Sequence, residues 1–303
     1  MSHISDNASR GHYSYGYVSH GYSGSLLSAP LDAITTNLLL ACSTHRKLLS
    51  SYRGPLVRVR ESGASGELDI YPLGDGTLNL AAIAAHCGAN DGFLVTAYDQ
   101  SGLGNDETNA TAAQQPKIFD SATGQVAVGT VPAVAFDGTD DSLNTGDALG
   151  LTGNPALDVF EVFRRDQTAT SDRVFDIGGP NGVFIQWQPG TGTIRVGSGT
   201  GQRNFSDAID ENTGLHAYHM RHAASGQIGS VALYLDDTAL SESSSANPTT
   251  TPSLADTWCY WMRDANTPTA TAVELIVFGA AAGNAVSAAA AAAIRANQVA
   301  VYG

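Results

Sequence analysis

Residues 216–236 read HAYHMRHAASGQIGSVALYLD, two β-prone runs, HAYHMRH and SVALYLD, joined through AASGQIG. Runs of this kind on either side of a glycine- and serine-containing connection predict an antiparallel hairpin. Working outward, the same texture recurs in FLVTAYD (93–99), AVAFDG (133–138), LDVFEVFR (157–164), RVFDIGG (173–179) and GVFIQWQ (182–188). TIRVGSG (193–199), TWCYWMRD (257–264) and TAVELIVFG (271–279) continue it, and clusters of Gly, Pro, Asn, Asp and Ser separate the runs. About ten short strands predict a sandwich or barrel, here an all-β fold of two packed antiparallel sheets.

The flanks read differently. From Pro30 to Tyr52, Leu31, Ile34, Leu38, Leu39, Cys42, Leu48 and Leu49 recur at three- and four-residue spacing before Arg53-Gly54-Pro55, which predicts two short helical pieces. Leu56–Arg60, LVRVR, predicts a strand, and 78–87 a helix stopped by Gly88. SESSSANPTTTPS at 241–253 has the composition of a solvated loop, and the alanine-rich stretch from Ala285 to Tyr302 predicts a closing helix. One domain over 30–303 follows, with a helical front segment (30–90), strands (92–279) and a closing helix (284–302). Residues 1–29 form an arm in which Tyr13, Tyr15, Tyr17 and Tyr22 alternate with Gly, Ser and His. The arm either orders across a neighbouring subunit or packs on its own domain.

With 33 glycines and only 15% charged residues, the composition suits short strands and tight turns, and 303 residues bury a core without covalent staples. Cys42, Cys87 and Cys259 are an odd set without zinc-finger or C-x-x-C spacing, so buried free thiols or one bridge are the alternatives. A formal charge of −14 repels phosphate backbones and anionic lipid surfaces, and no apolar run approaches membrane-spanning length. Neither nucleic-acid binding nor membrane insertion is expected. No secretory leader is visible, so synthesis in a cytoplasm is the expectation, with any role outside a cell needing another export route.

Several constellations invite chemistry. His216, His219 and His222 on one strand would alternate faces and span about 20 Å, which excludes a single metal shell. Asp137, Asp140 and Asp141 in FDGTDDSL either fix a turn through backbone N–H groups or hold calcium; no other metal or cofactor is implied. Asp99, Gln100, Ser101, Asn105 and Asp106 form a polar Gly-containing loop after a strand. These side chains either hold the loop by Asx-type turns or, with Trp187, Trp258 or Trp261 as a stacking face, line a glycan or partner site.

Two stretches, THRKLLSSYRGPLVRVRESGASGELD (44–69) and YDQSGLGN (98–105), resemble the start of the catalytic domain of B-type α-L-arabinofuranosidases. VPAVAFDGTDDSL (131–143), YLDD (234–237) and ELIVFG followed by an alanine-rich helix and VYG resemble phage virion proteins carrying laminin-G-like or concanavalin A-like domains. The second resemblance implies a concanavalin A-like jelly roll. The first implies a retaining glycosidase, which needs two carboxyl groups, with its nucleophilic Glu on a strand soon after a stretch matching Phe175-Asp176-Ile177-Gly178. The strand that follows here, GVFIQWQ, has no carboxylate, and the family's acid has no evident counterpart; a pair such as Glu161 with Asp176 is the remaining option.

The expectation drawn is therefore a non-catalytic virion structural protein, a capsid decoration, head-fibre or tail-associated adhesion protein. It would be partnered by other virion proteins and its own copies, with host cell-surface polysaccharide as a candidate ligand. The alternative is a glycoside hydrolase of the α-L-arabinofuranosidase type.

Overall fold

The computed structural model describes residues 29–64, 66–165, 173–188, 193–206, 214–255, 258–262 and 269–303. The hairpin forms: His216–His222 pairs antiparallel with Ala232–Leu235, with Tyr218 opposite Leu235 and Met220 opposite Leu233. Its first strand also pairs with Ala156–Arg165, which pairs in turn with Thr269–Ala280. Leu38–Ser43 and Val134–Asp137 share the far edge of Thr269–Ala280 and complete this sheet. The opposing sheet runs Cys259–Trp261, Arg173–Ile177, Val183–Gln188, Thr193–Ser198, Gly201–Ser206 and Glu242–Ala246. A third group, Lys117–Asp120, Gly92–Ala97, Val57–Glu61 and Glu67–Ile70, continues from Val134–Asp137. The result is the jelly-roll-like β-sandwich that the strand pattern predicts.

Alternation along Ala156–Arg165 divides the core. Leu157, Val159 and Phe163 point into the main cluster with Phe175, Ile185 and Trp261. Ala156 and Phe160 point the other way, toward Leu48, Ala291 and Ile294. A strand side chain changes face at each step, so a sheet covered on both faces needs apolar residues at successive positions. That requirement is why LDVFEVF reads as nearly continuous apolar sequence.

The same physics corrects the front segment. Leu38–Ser43, expected to be helical, is a strand with a bulge near its start. Leu40 and Cys42 enter the main core while Leu38 and Ala41 face the helix side. An apolar run buried on both faces has no polar positions to reveal its period. The predicted solvated loop at 241–253 also needs correction, because Glu242–Ala246 pairs with Gly201–Ser206 as a largely exposed edge strand. Polar residues suit such an edge.

The two α-helices fall where expected. Leu80–Cys87 is capped by Asn79, whose side chain accepts from the Ala82 N–H, and ends at Gly88 with φ 57°. Ala288–Tyr302 is capped by Ser287. Two buried carboxylates dock this second helix. Glu274 accepts from Tyr302 Oη (2.8 Å), Gln298 Nε2 (3.0 Å) and Arg46 Nε (3.3 Å). Asp158 accepts from His219 Nε2 and Arg221 Nε, both at 2.7 Å, and from the Val286 N–H. Cys42, Cys87 and Cys259 are buried free thiols. The four arm tyrosines, Tyr13, Tyr15, Tyr17 and Tyr22, lie outside the described residues.

Candidate functional site

Register brings several strand ends to one end of the sandwich. Arg165 lies opposite Ala270, Phe163 opposite His216, Asp137 opposite Thr269, and both Leu143 and Phe175 opposite Trp261. The two sheets touch here through Arg165, whose guanidinium sits 3.3 Å over the Trp187 ring. Trp187 is only 3% exposed. Trp187 is one of three tryptophans that could offer a stacking face to a sugar, and its ring is covered by a cation from the opposite sheet.

At the same end, the turn after Val134–Asp137 gathers Asp137, Asp140 and Asp141. Asp137 accepts from the Thr139 N–H at 2.8 Å, and Asp141 Oδ2 accepts from the Asp137 N–H at 2.9 Å. The turn chemistry expected for these residues is thus present. Oxygens from all three carboxyls also lie within 4.8 Å of one another, a grouping that among the described residues meets a cation's distance needs. Asp137 and Asp141 line a cavity of about 420 Å³ together with Phe93, Gln115 and Lys117. Burial, reinforced by the neighbouring Asp137 and Asp140 charges, pushes the Asp141 carboxyl up to about 6 against the pull of the Asp137 N–H.

The loop carrying Asp99, Gln100, Ser101, Asn105 and Asp106 turns its polar atoms inward. Asp99 accepts from the Ala41, Ser101 and Asn105 N–H groups and from Ser101 Oγ. Gln100 accepts from the Leu48 N–H and donates to the Arg46 carbonyl. Asn105 donates to the Leu39 carbonyl, and Asp106 accepts from the Asp99 N–H. These bonds tie the loop to Leu38–Ser43 and make it a clamp in the fold.

The three histidines are separated as strand geometry requires. His216 meets Asp236, His219 meets Asp158, and His222 meets Asn154, each at 2.7 Å. His219 also receives Arg295 Nη1 on Nδ1 at 3.0 Å, so its proton is on Nε2 and the ring is neutral. Burial lowers its pKa accordingly.

Two groups escaped notice or full weight in the sequence. Glu107 and Glu161 are both fully buried, packed against Trp261. Glu161 stands out in retrospect as an acid between apolar neighbours in a doubly covered strand. Glu107 carries no such signal. Asp176, named beside Glu161 as a catalytic option, is instead bound to Arg173 at 2.5 Å.

The family model described as Alpha-L-arabinofuranosidase B, catalytic, matches residues 32–140. Over 91 residues the chain is 40% identical to an alpha-L-arabinofuranosidase of Hypocrea jecorina, covering 29% of this chain and 18% of that protein. It is 39% identical over 92 residues to alpha-L-arabinofuranosidase B of Emericella nidulans, with the same coverage of 29% and 18%. The chain thus spans less than a fifth of these relatives' length. A solved GH54 arabinofuranosidase soaked with a cyclic sulfate inhibitor superposes with a TM-score of 0.67 at 18% identity, covering 91% of this chain and 66% of that one. An arabinofuranosidase complexed with arabinofuranosyl-alpha-1,2-xylobiose gives 0.65 at 18% identity, with 91% and 65% covered. At that identity the superposition establishes a common fold.

These likenesses uphold the front-end resemblance to B-type arabinofuranosidases and overturn the expected virion role. The sequence relatives are fungal arabinofuranosidases, and the matched family is catalytic. A non-catalytic protein of capsid or tail, partnered by virion proteins and its own copies at a host polysaccharide and localised in the virion, is therefore corrected.

Proposed function

We propose that this chain is a glycoside hydrolase domain of the α-L-arabinofuranosidase type, cleaving arabinofuranosyl groups from a carbohydrate. The observation that carries the reading is the family match over residues 32–140. In the fold, that segment supplies the strands from Leu38 to Asp137 and all of the lining of the 420 Å³ cavity except Asp141, the next residue after it. Hydrolysis needs two carboxyl groups near one glycosidic bond, one protonated to assist the leaving oxygen. Among the described pairs, Asp91 and Asp120 are bridged by Lys117. Asp99 is held by backbone amides, and Glu107 with Glu161 is enclosed. Asp137 and Asp141 adjoin a cavity, one exposed and the other raised to about 6 by burial. Asp141 is assigned the acid and Asp137 its partner.

The test is release of nitrophenol from 4-nitrophenyl α-L-arabinofuranoside by the full chain. Turnover abolished by Asp141→Asn supports the reading. An inactive parent chain refutes the activity, and a fully active D141N protein refutes the assignment.

A second reading is favoured by the 4.8 Å grouping of Asp137, Asp140 and Asp141, which suits calcium. Calorimetric titration with calcium decides it: saturable binding lost in Asp140→Asn supports a cation there, and no heat refutes it.

A further inference from the structure

On another face, the segment around His45–Arg53 and the tight turn at 71–77 enclose a cleft of about 740 Å³, within the range of small-molecule sites. The turn is closed by the Leu73 N–H on the Thr77 carbonyl and docked by the Lys47 N–H on the Gly76 carbonyl. It holds out Tyr71 and Leu73, 54% and 46% exposed, at the cleft wall. The opposite wall is cationic. Arg46, Lys47 and Arg53, three of only 15 basic residues in a chain of net charge −14, line this one cleft. Arg46 is buried and paired, its Nε and Nη2 engaged by Glu274 and Asn297 and its Nη1 closed off from solvent, so the reachable cations are Lys47 and Arg53, which also donate to the Ser50 carbonyl.

We propose that this cleft binds a carboxylate-bearing sugar, a uronate residue whose ring lies against Tyr71 and whose carboxylate meets Lys47 and Arg53. An aromatic face suits the apolar side of a sugar ring, and an Arg fork suits a carboxylate. A phosphate dianion is disfavoured, because Asp32 and Asp75 also line the cleft. Those carboxylates face their own chain, Asp32 accepting from the Ser50 N–H and Asp75 from Thr77. A monoanion tolerates them better than a dianion does. That the ligand is a sugar rests on the proposed carbohydrate function; that it is anionic rests on the cleft alone.

Calorimetry on the full chain with D-galacturonate, D-galactose and acetate tests this without any hydrolysis. The expected result is saturable galacturonate binding that weakens with salt, with galactose and acetate each at least about tenfold weaker. Two exposed-rim variants, Lys47→Ala with Arg53→Ala and separately Tyr71→Ala, each weaken galacturonate about tenfold. Absence of saturable galacturonate binding overturns the site. Galactose binding as tightly overturns the role of the cations, and acetate binding as tightly overturns recognition of the ring. Because the readout is binding, failure of the hydrolase reading leaves this outcome separately legible.

Discussion

Glu107 and Glu161 lie fully enclosed in the sandwich beside Trp261, whose backbone acts on the first carboxyl and whose side chain acts on the second. Burial raises both well above the ordinary glutamate range; Asp99 adds to the effect at Glu107, and Glu107 itself adds to it at Glu161. No cation is among the groups acting on either one, and Cys259 beside them is raised as well, by burial and then by Glu107. The folded state therefore holds protons that the unfolded chain releases from about pH 4.3 upward. Stability from this source is complete below that pH and declines as pH rises toward the folded values, by about 1.4 kcal/mol per pH unit for each carboxyl still protonated in the fold. Glu161→Gln removes one contributor. Urea midpoints measured from pH 5 to 9 should fall less steeply in E161Q than in the parent, and parallel curves would contradict the assignment.

His222 acts in the opposite sense. Its Nε2 meets Asn154 Oδ1 at 2.7 Å, its Nδ1 is buried without a partner, and burial lowers its pKa to about 4. Its contribution is present above the unfolded value near 6.5 and is lost as pH falls through 4, up to about 3 kcal/mol. His219, also lowered by burial, adds with the same sign. Replacing His222 by Gln should shallow the acid limb of the stability curve between pH 6.5 and 4 and leave the alkaline limb in place, which chemical denaturation across that range would show.

How much of this was legible depended on whether a residue's neighbours in sequence were also its neighbours in space. The 216–236 hairpin, the Asn79–Gly88 helix and the Ser287-capped helix carry local signals, and the structure follows them. Leu38–Ser43 misled because burial on both faces erased its period. At the candidate site, Asp137, Asp140 and Asp141 are close in sequence and stood out. Lys117 and Gln115, which share their cavity, come from another strand edge that only the pairing of Ala135 with Lys117 brings near. Glu107 was invisible for the same reason, since Trp261 and Cys259 reach it from more than 150 positions away.

Gly178 tests the strand turn after Phe175-Asp176-Ile177. Its φ is +83°, and a Cβ there would stand 2.7 Å from Leu254 Cβ and 3.0 Å from its Cα. Backbone conformation and space both oppose a side chain, and the obstructing Cα cannot swing away. Gly178→Ala should cost about 2 kcal/mol or more, seen as a lowered melting temperature, whereas alanine at Gly74, which meets nothing within 4 Å, should be nearly silent.

The proposed acid makes the sharpest kinetic prediction. A general acid works only while protonated, and Asp141 is held at about 6 by burial, with Asp137 and Asp140 opposing its ionisation. Hydrolysis of the nitrophenyl arabinofuranoside should therefore fall with rising pH along a limb centred near 6. Asp141→Asn should lower the rate about 10²–10⁴-fold and remove that limb. Asp140→Asn takes away one of the like charges that raise Asp141, so the limb should move to lower pH while turnover at pH 5 persists. A merely structural Asp141, fixing the turn through the Asp137 N–H, predicts something different: D141N would lower the melting temperature, and the remaining activity would keep the parent's pH profile. Rate profiles and melting curves on the same two variants separate these outcomes, because only an acid in contact with substrate couples the limb to the charge at Asp140.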